Sequence, residues 1–377
     1  MWRGSFLFWG ERGGSGGHSY GRLNENILKD IYCFCRISKS RKKGRDAMII
    51  RKPRTTPLEI LAYEALIRRM PELNPKKEEI LAALRSRRSG HKGEMYTEHY
   101  INTADVPPFY VYHSLRFAHV PGEFAQIDTL LLSRQLAVIL EIKYLGGESL
   151  YFKGDSNQLI QTSDEGKKKV YDCPVVQARR QKLRLIKWSR EFGFPSIRVE
   201  HFAVMANSYP ELIFSEDYKE RWRVFRNSVL KFRLQELTDA ENRSSVEKPF
   251  SPETLDGLDR ALLDAHEEAL PDLLKRHQVR YEDLIKGVFC PVCPKVILKR
   301  TDRGWSCPGC EGRFSTVEPV RRALKEYCLI AGSTITNAQL TNFLNLQSTI
   351  LTTNILRKLD LPKWGSGRGS VYSLDRL

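Results

Sequence analysis

Two apolar runs of strand length, separated by a short polar break, limit this chain more than anything else in it. The stretch QIDTLLLSRQLAVILEIKYLGG covers residues 126–147, and Ser133-Arg134-Gln135 in its middle is the right length to close a hairpin. A run such as LAVIL has no polar alternation, so it belongs in a strand buried on both faces rather than at a wet surface. Yet the hairpin carries Asp128 on one arm and Glu141 and Lys143 on the other. An unpaired buried charge is expensive, so these three require an explanation.

The surroundings set the class. Helical spacing of Leu58, Leu61, Ala62, Ala65, Leu66 and Met70 predicts a helix from Pro57, and Ile80, Leu81 and Leu84 predict a second over about 75–87. GHKGEMYTEHYI then reads as a separate helix carrying Glu94 and Glu98 one turn apart. FYVYHSLRF, EFAQIDTLLLS and LAVILEIKYL read as strands, VVQARRQKLRLIKWSREF as an amphipathic helix, IRVEHFAVMA as a strand, and YKERWRVFRNSVLKFRLQEL as a basic helix. Helices and strands in that order around one apolar sheet predict an α/β domain over residues 88–240, after a helical lead-in at 48–87. Residues 241–285 read as a linker with an acidic helix.

A period of two puts Glu141 and Lys143 on one face, and the hairpin lets Asp128 lie beside Glu141. Side-by-side carboxylates repel unless a cation joins them, and Mg²⁺ or Mn²⁺ suits such hard oxygen ligands. A neighbouring lysine orients water or stabilises charge on phosphate, which together describe a phosphodiesterase site. The plainer alternative pairs Glu141 with Lys143 at a sheet edge and leaves Asp128 to cap a turn.

Asp128, then Glu141-Ile142-Lys143 at a strand end, with Glu94 on the preceding helix, resembles the PD-(D/E)XK nuclease superfamily, and within it the nuclease-related NERD domain. The resemblance runs through HKGE and EIKYLGG into YDCPVVQARRQKL, over about residues 88–205. It departs at Ile127, where the superfamily's name has proline. It implies a restriction-endonuclease-like core with a mixed central sheet flanked by helices. By the same resemblance Asp128 and Glu141 are metal ligands, with the Ile142 carbonyl a third, Lys143 is the catalytic lysine, and Glu94 and Gln177 line the site. Glu98 is the alternative to Glu94. Gln181 reads as a supporting residue, and Arg179, Arg180 and Arg184 as a solvated helix face or phosphate contacts.

Cys290-Pro-Val-Cys293 and Cys307-Pro-Gly-Cys310, thirteen residues apart, have the spacing of a structural four-cysteine zinc site, and the intervening KVILKRTDRGWS reads as the hairpin of a ribbon over 286–316. Residues 317–377 resemble a winged helix-turn-helix. Its second helix, from Ser348, buries Ile350, Ile355, Leu356 and Leu359 and exposes Gln347, Thr349, Thr352, Thr353, Asn354, Arg357 and Lys358 in this reading, with a wing at Lys363–Arg368. Such modules serve DNA binding or protein contacts.

The formal charge of +16 points to a nucleic-acid partner, DNA first, and removing the ten basic and four acidic residues of segment 1–47 still leaves +10. That segment, glycine-rich and then basic, reads either as a disordered arm or as upstream sequence ahead of a true start at Met48. No apolar run reaches the roughly 18 to 20 residues of a membrane span, so the expectation is a cytoplasmic, bacterial protein without a membrane partner. The function expected is metal-dependent hydrolysis of DNA phosphodiesters; a nuclease-like domain that binds nucleic acid without cutting is the alternative.

Overall fold

The computed structural model describes residues 48–104, 106–243, 249–293 and 295–375, so the readings for segment 1–47 lie outside the described residues. The chain divides into two compact units, one ending at Ile285 and one resuming at Lys286.

The first unit opens on a strand, β1 (Ile49–Lys52), followed by α1 (Leu58–Arg69) and α2 (Lys77–Asn102). Two helices were expected where α2 runs unbroken for 26 residues. Gly90 costs the helix about 1 kcal/mol. The helix continues because burial continues in four-residue steps, through Ile80 and Leu84 and then Gly93, Thr97 and Ile101. Then come β2 (Tyr110–Val120), β3 (Glu123–Leu132) and β4 (Leu136–Lys143), two antiparallel hairpins in sequence.

Three strands follow that the sequence reading missed, β5 (Ser149–Lys153), β6 (Gln158–Thr162) and β7 (Lys168–Asp172). QLIQT and KKVYD carry too little apolar signal, and β7 buries nothing fully. After α3 (Pro174–Glu191) come β8 (Arg198–Met205), β9 (Glu211–Phe214) and β10 (Val224–Arg226), then α4 (Asn227–Arg243). The basic segment before α4 was expected to be helical throughout. Its first part, from Tyr218, is instead a turn, a short 3₁₀ segment at Arg221–Arg223 and then β10, where Val224 and Phe225 are buried against β8. Last are α5 (Pro252–Asp264) and the short α6 (Leu273–His277).

The central sheet is mixed, in the order β1-β2-β3-β4-β8-β10, with β1 parallel to β2 and β4, β8 and β10 mutually parallel. Helices α3 and α5 cover one face, where Leu185, Trp188, Leu255, Leu258 and Leu262 pack on Phe117, Ile127, Leu130 and Ile139. Helices α2 and α4 cover the other, where Ile101, Leu230 and Leu234 meet Val111, Val138, Leu140 and Ile142. Continuous burial along β4 follows from this double cover. Helix α5 contains the acidic helix expected after the linker, begins inside the stretch read as linker, and is a wall of the core: its Asp259, 2% exposed, bonds Tyr112 Oη at 2.7 Å and pairs with Arg51 of β1. A second sheet, β7-β6-β5-β9, holds Leu150, Phe152 and Leu159 against Ala203 and Met205.

The second unit begins with the four cysteines and a three-stranded antiparallel sheet, β11 (Lys299–Arg300), β12 (Trp305–Ser306) and β13 (Arg313–Phe314). It continues through α7 (Glu318–Ala331), β14 (Thr334–Thr336), α8 (Asn337–Phe343), α9 (Thr349–Leu359), β15 (Lys363–Trp364) and β16 (Val371–Ser373). Thr336 and Gln339 form a capping box that starts α8, and Ser348 caps α9. Three residues of α9 depart from expectation. Ile350, expected inside, is 72% exposed, while Thr352 is buried with its Oγ1 2.8 Å from Thr341 Oγ1. Thr353 is half-buried and accepts from Asn337 Nδ2. The helix otherwise keeps the expected face, with Ile355, Leu356 and Leu359 buried, and the pairing with α8 puts Thr352 rather than Ile350 in its first turn on that face.

Candidate active site in the central sheet

The site begins with a fault in strand alternation. Tyr112 and Leu130 share a core with Leu115 and Ile127, so β2 and β3 both change phase between those residues. Pairing resumes at His113–Thr129 on one side and Leu115–Ile127 on the other, leaving Ser114 opposite Asp128. Ser114 absorbs its share with a φ of 51°. On the other edge of β3, pairing with β4 ends at Thr129–Leu140, one step short of Asp128 and Glu141. Where the ladder stops, Asp128 Oδ2 accepts from the Ile142 N–H at 2.8 Å and replaces the lost strand partner.

Opposite lies Glu141, 7% exposed, whose Oε1 accepts from Lys143 Nζ at 2.5 Å. Lys143 also donates to Gln177 Oε1 at 2.8 Å. Gln177 stands on the first turn of α3, where Pro174 fits the start of a helix, and its Nε2 donates to the Asp172 carbonyl at 3.3 Å. Burial, and then the Asp128 charge, push the Glu141 carboxyl up to about 7 against the pull of Lys143. Burial alone would lower Lys143, yet Glu141 and Asp128 leave its ammonium raised.

Glu94 comes in from α2. Gly93 makes that approach possible: a Cβ there would lie 2.3 Å from Tyr144 Cβ, at the end of β4. Burial, and then Asp128, raise the Glu94 carboxyl to about 7. Its ion partner is Arg54, a residue the sequence reading passed over, with a side chain only 3% exposed. Arg54 lies just past β1, where no periodicity marks it. Its Nε reaches Glu98 Oε2 at 3.3 Å. Of the two helix acids, Glu94 lines the cleft and Glu98 stands on the His113 side, 3.7 Å from His113 Nε2.

The cleft is a cavity of about 630 Å³ bordered by Glu94, Asp128, Lys143 and Gln177, with His91 and Arg87 on its α2 wall. A second depression of about 340 Å³ shares Gln126, Asp128 and Gln177 and adds Glu141, Arg180 and Arg184. The acid centre is thus open on two sides. Gln181 accepts from the Gln126 N–H at 3.3 Å, Arg184 donates to the Phe124 carbonyl, Arg180 lies 3.3 Å from Asp172, and Arg179 pairs with Glu220.

Among the described residues, the group whose ligand atoms stand close enough for one ion is Cys290, Cys293, Cys307 and Cys310, all within 4.8 Å of one another. Zinc with arms of about 2.3 Å in a tetrahedron spaces its sulfurs by about 3.8 Å. Cys290 Sγ and Cys310 Sγ are 3.8 Å apart. Backbone N–H groups of Val292, Gly309 and Cys310 point at the Cys290 and Cys307 sulfurs, as suits thiolates. This set fits Zn²⁺. Each acid of the cleft has a partner of its own: Lys143 for Glu141, the Ile142 N–H for Asp128, Arg54 for Glu94.

A mixed sheet between two helical layers, with two acids and a lysine where its central strands part, defines an α/β domain of nuclease-like build. Residues 89–206 match the family model of the nuclease-related domain, NERD. Compared with the curated proteins and with the solved structures, the chain shows no match. Among the described residues no helix is long and apolar enough to cross a membrane.

Proposed function

We propose that the NERD domain of this chain is a divalent-metal-dependent nuclease that hydrolyses phosphodiester bonds in DNA. The observation that carries this reading is the meeting of Asp128, Glu141 and a Lys143 ammonium bonded to Glu141 and Gln177, at the point where β3 and β4 separate. Two carboxyls with raised proton affinity beside a third acid form a donor set suited to a hard cation. Asp128, Glu141 and the Ile142 carbonyl would hold Mg²⁺ or Mn²⁺, which when bound supplies charge neutralisation at phosphate and a more acidic water. Lys143 would steer the attacking water or a non-bridging oxygen, and Gln177 fixes where its ammonium points. Arg180 and Arg184 would hold flanking phosphates. Because the centre opens both ways, the strand is expected to pass across it, so that cleavage needs no free end. In the second unit the order of α7, β14, α8, α9 and the β15–β16 hairpin supports a winged-helix reading, and with the zinc-bearing cysteines it would position the substrate.

One observation favours the second reading, binding without cleavage: Lys143 already neutralises Glu141, as a purely structural pair would. Incubation of the full chain with closed circular and linear DNA in Mg²⁺ or Mn²⁺, beside Asp128→Asn and Glu141→Gln, separates the two. Nicking of circles by the wild type and its loss in both variants is the expected result. DNA binding without metal-dependent cleavage on any substrate overturns the nuclease reading.

A further inference from the structure

We propose that Arg54, which lies outside the 89–206 match, is a positioning residue of the acid centre, tying the helix that carries Glu94 to the bend in β3 that carries Asp128. The inference rests on the nuclease reading above. One guanidinium makes both sets of contacts. On the helix side it pairs with Glu94 and reaches Glu98 at 3.3 Å. On the sheet side its Nη2 donates to Thr129 Oγ1 at 3.0 Å and to the Asp128 carbonyl at 3.4 Å, and its Nη1 to Ser114 Oγ at 3.3 Å. Ser114 and Asp128 are the two residues that take up the phase change of the sheet.

Local chemistry explains why an arginine serves here. His113 is fully buried, and burial with the Arg54 charge keeps it far below the usual histidine range. It is therefore neutral, and its Nδ1 accepts from Arg54 Nη2 at 2.8 Å. A planar fork with five N–H donors, one of them shared, reaches two carboxylates, an imidazole, two hydroxyls and a carbonyl together, which a lysine ammonium cannot do. Register brings it there: Lys52 pairs with Tyr112, so two residues further on the chain stands beside Ser114. Pro53 ends the strand and frees the segment to turn inward. The positioning residue thus comes from the β1 edge, and residues 89–206 alone lack it.

Loss of a residue that orients metal ligands costs roughly 10- to 100-fold in metal affinity or activity. The test uses the full chain with Arg54→Lys, which keeps the charge and loses the fork, and Arg54→Met, which loses both. Mn²⁺ binding at the cleft is read by relaxation of water protons, and the Mn²⁺ concentration giving half-maximal cleavage is read alongside it. A variant that merely lowers the folded fraction raises both apparent constants only by the inverse of that fraction, which a denaturation curve supplies as the correction. Expected are about a tenfold or larger weakening of Mn²⁺ binding in both variants, with Arg54→Lys milder, and an unchanged KM for DNA. Should Arg54→Met fail to fold, Arg54→Lys decides alone. Wild-type Mn²⁺ affinity and half-maximal concentration in Arg54→Lys overturn the proposal while leaving the nuclease reading intact. A wild-type chain that neither binds Mn²⁺ at the cleft nor cleaves DNA overturns both.

Discussion

At Glu141 two effects push one way: burial removes the solvent that favours a carboxylate, and Asp128 adds a like charge, so the group holds its proton up to about 7. A divalent ion binds the deprotonated form, and below that value protons compete with it. Mn²⁺ affinity of the wild type should therefore fall about tenfold per pH unit below 7 and level off above it. A titration at pH 6, 7 and 8 checks this; affinity that does not vary with pH would separate Glu141 from the metal. Asp128 tests a different link, between charge and backbone. Asparagine in its place still offers an oxygen to the Ile142 N–H, so Asp128→Asn should keep its unfolding midpoint while losing at least 100-fold in cleavage. Alanine leaves that N–H unpaired and should cost a further 1–3 kcal/mol or so. These residues were legible in the sequence because charges inside an apolar run contradict their surroundings. Arg54 and His113 were not, since their meaning depends on a parallel edge strand and a change of phase, neither of which leaves a periodic mark.

Elements bring the acids together, and α2 does so through a glycine. Any side chain at position 93 enters the Tyr144 Cβ, which is not the mobile end of a side chain, so Gly93→Ala must push α2 away from β4. The expected cost is about 1–3 kcal/mol, with a drop in cleavage larger than the loss of folded protein because Glu94 moves with the helix. Denaturant midpoints beside specific activity distinguish this from simple destabilisation. A continuous apolar run such as β4 and a long amphipathic pattern such as α3 could be read from sequence in position and kind. The small sheet β7-β6-β5-β9 could not, because its strands are four or five residues long and each brings at most two fully buried residues, and neither could the joining of two expected helices into α2, which depends on what lies beneath Thr97 and Ile101. Spacing told more about the cysteines than any apolar pattern: four thiols at two CxxC pairs do stand within one ion's reach. The purified chain should carry about one Zn²⁺. Cys307→Ser should release it and unfold the β11–β13 sheet, as seen in metal content and local hydrogen exchange.

Across the whole first unit, acid response is a contest between buried groups of opposite habit. His113 and His201 are held neutral, His201 down to about 4 by burial and then Arg223, whereas their unfolded forms take up protons below about 6.5. Between pH 6.5 and 4.5 the unfolded state binds more protons at these two, so each removes stability as pH falls, by up to about 1.4 kcal/mol per unit. Glu94 and Glu141 do the reverse in the metal-free protein. Their folded forms keep protons up to about 7 while the unfolded forms release them near the ordinary carboxyl value, so each adds stability over the same fall. The two pairs nearly cancel, but His91, likewise lowered to about 4 by burial and then by the Arg54 charge, tips the balance, so the metal-free unit should lose up to about 1.4 kcal/mol of stability per unit as pH falls through this window. Single substitutions should shift that slope: relative to wild type, His201→Gln should lessen the loss as pH drops from 6.5 to 4.5 and Glu141→Gln should deepen it, each by about 1.4 kcal/mol per unit at most. Hydrogen exchange of the β4 amides, which report this unit alone, measures both slopes. Parallel profiles for wild type and both variants would mean that neither group titrates as its burial requires.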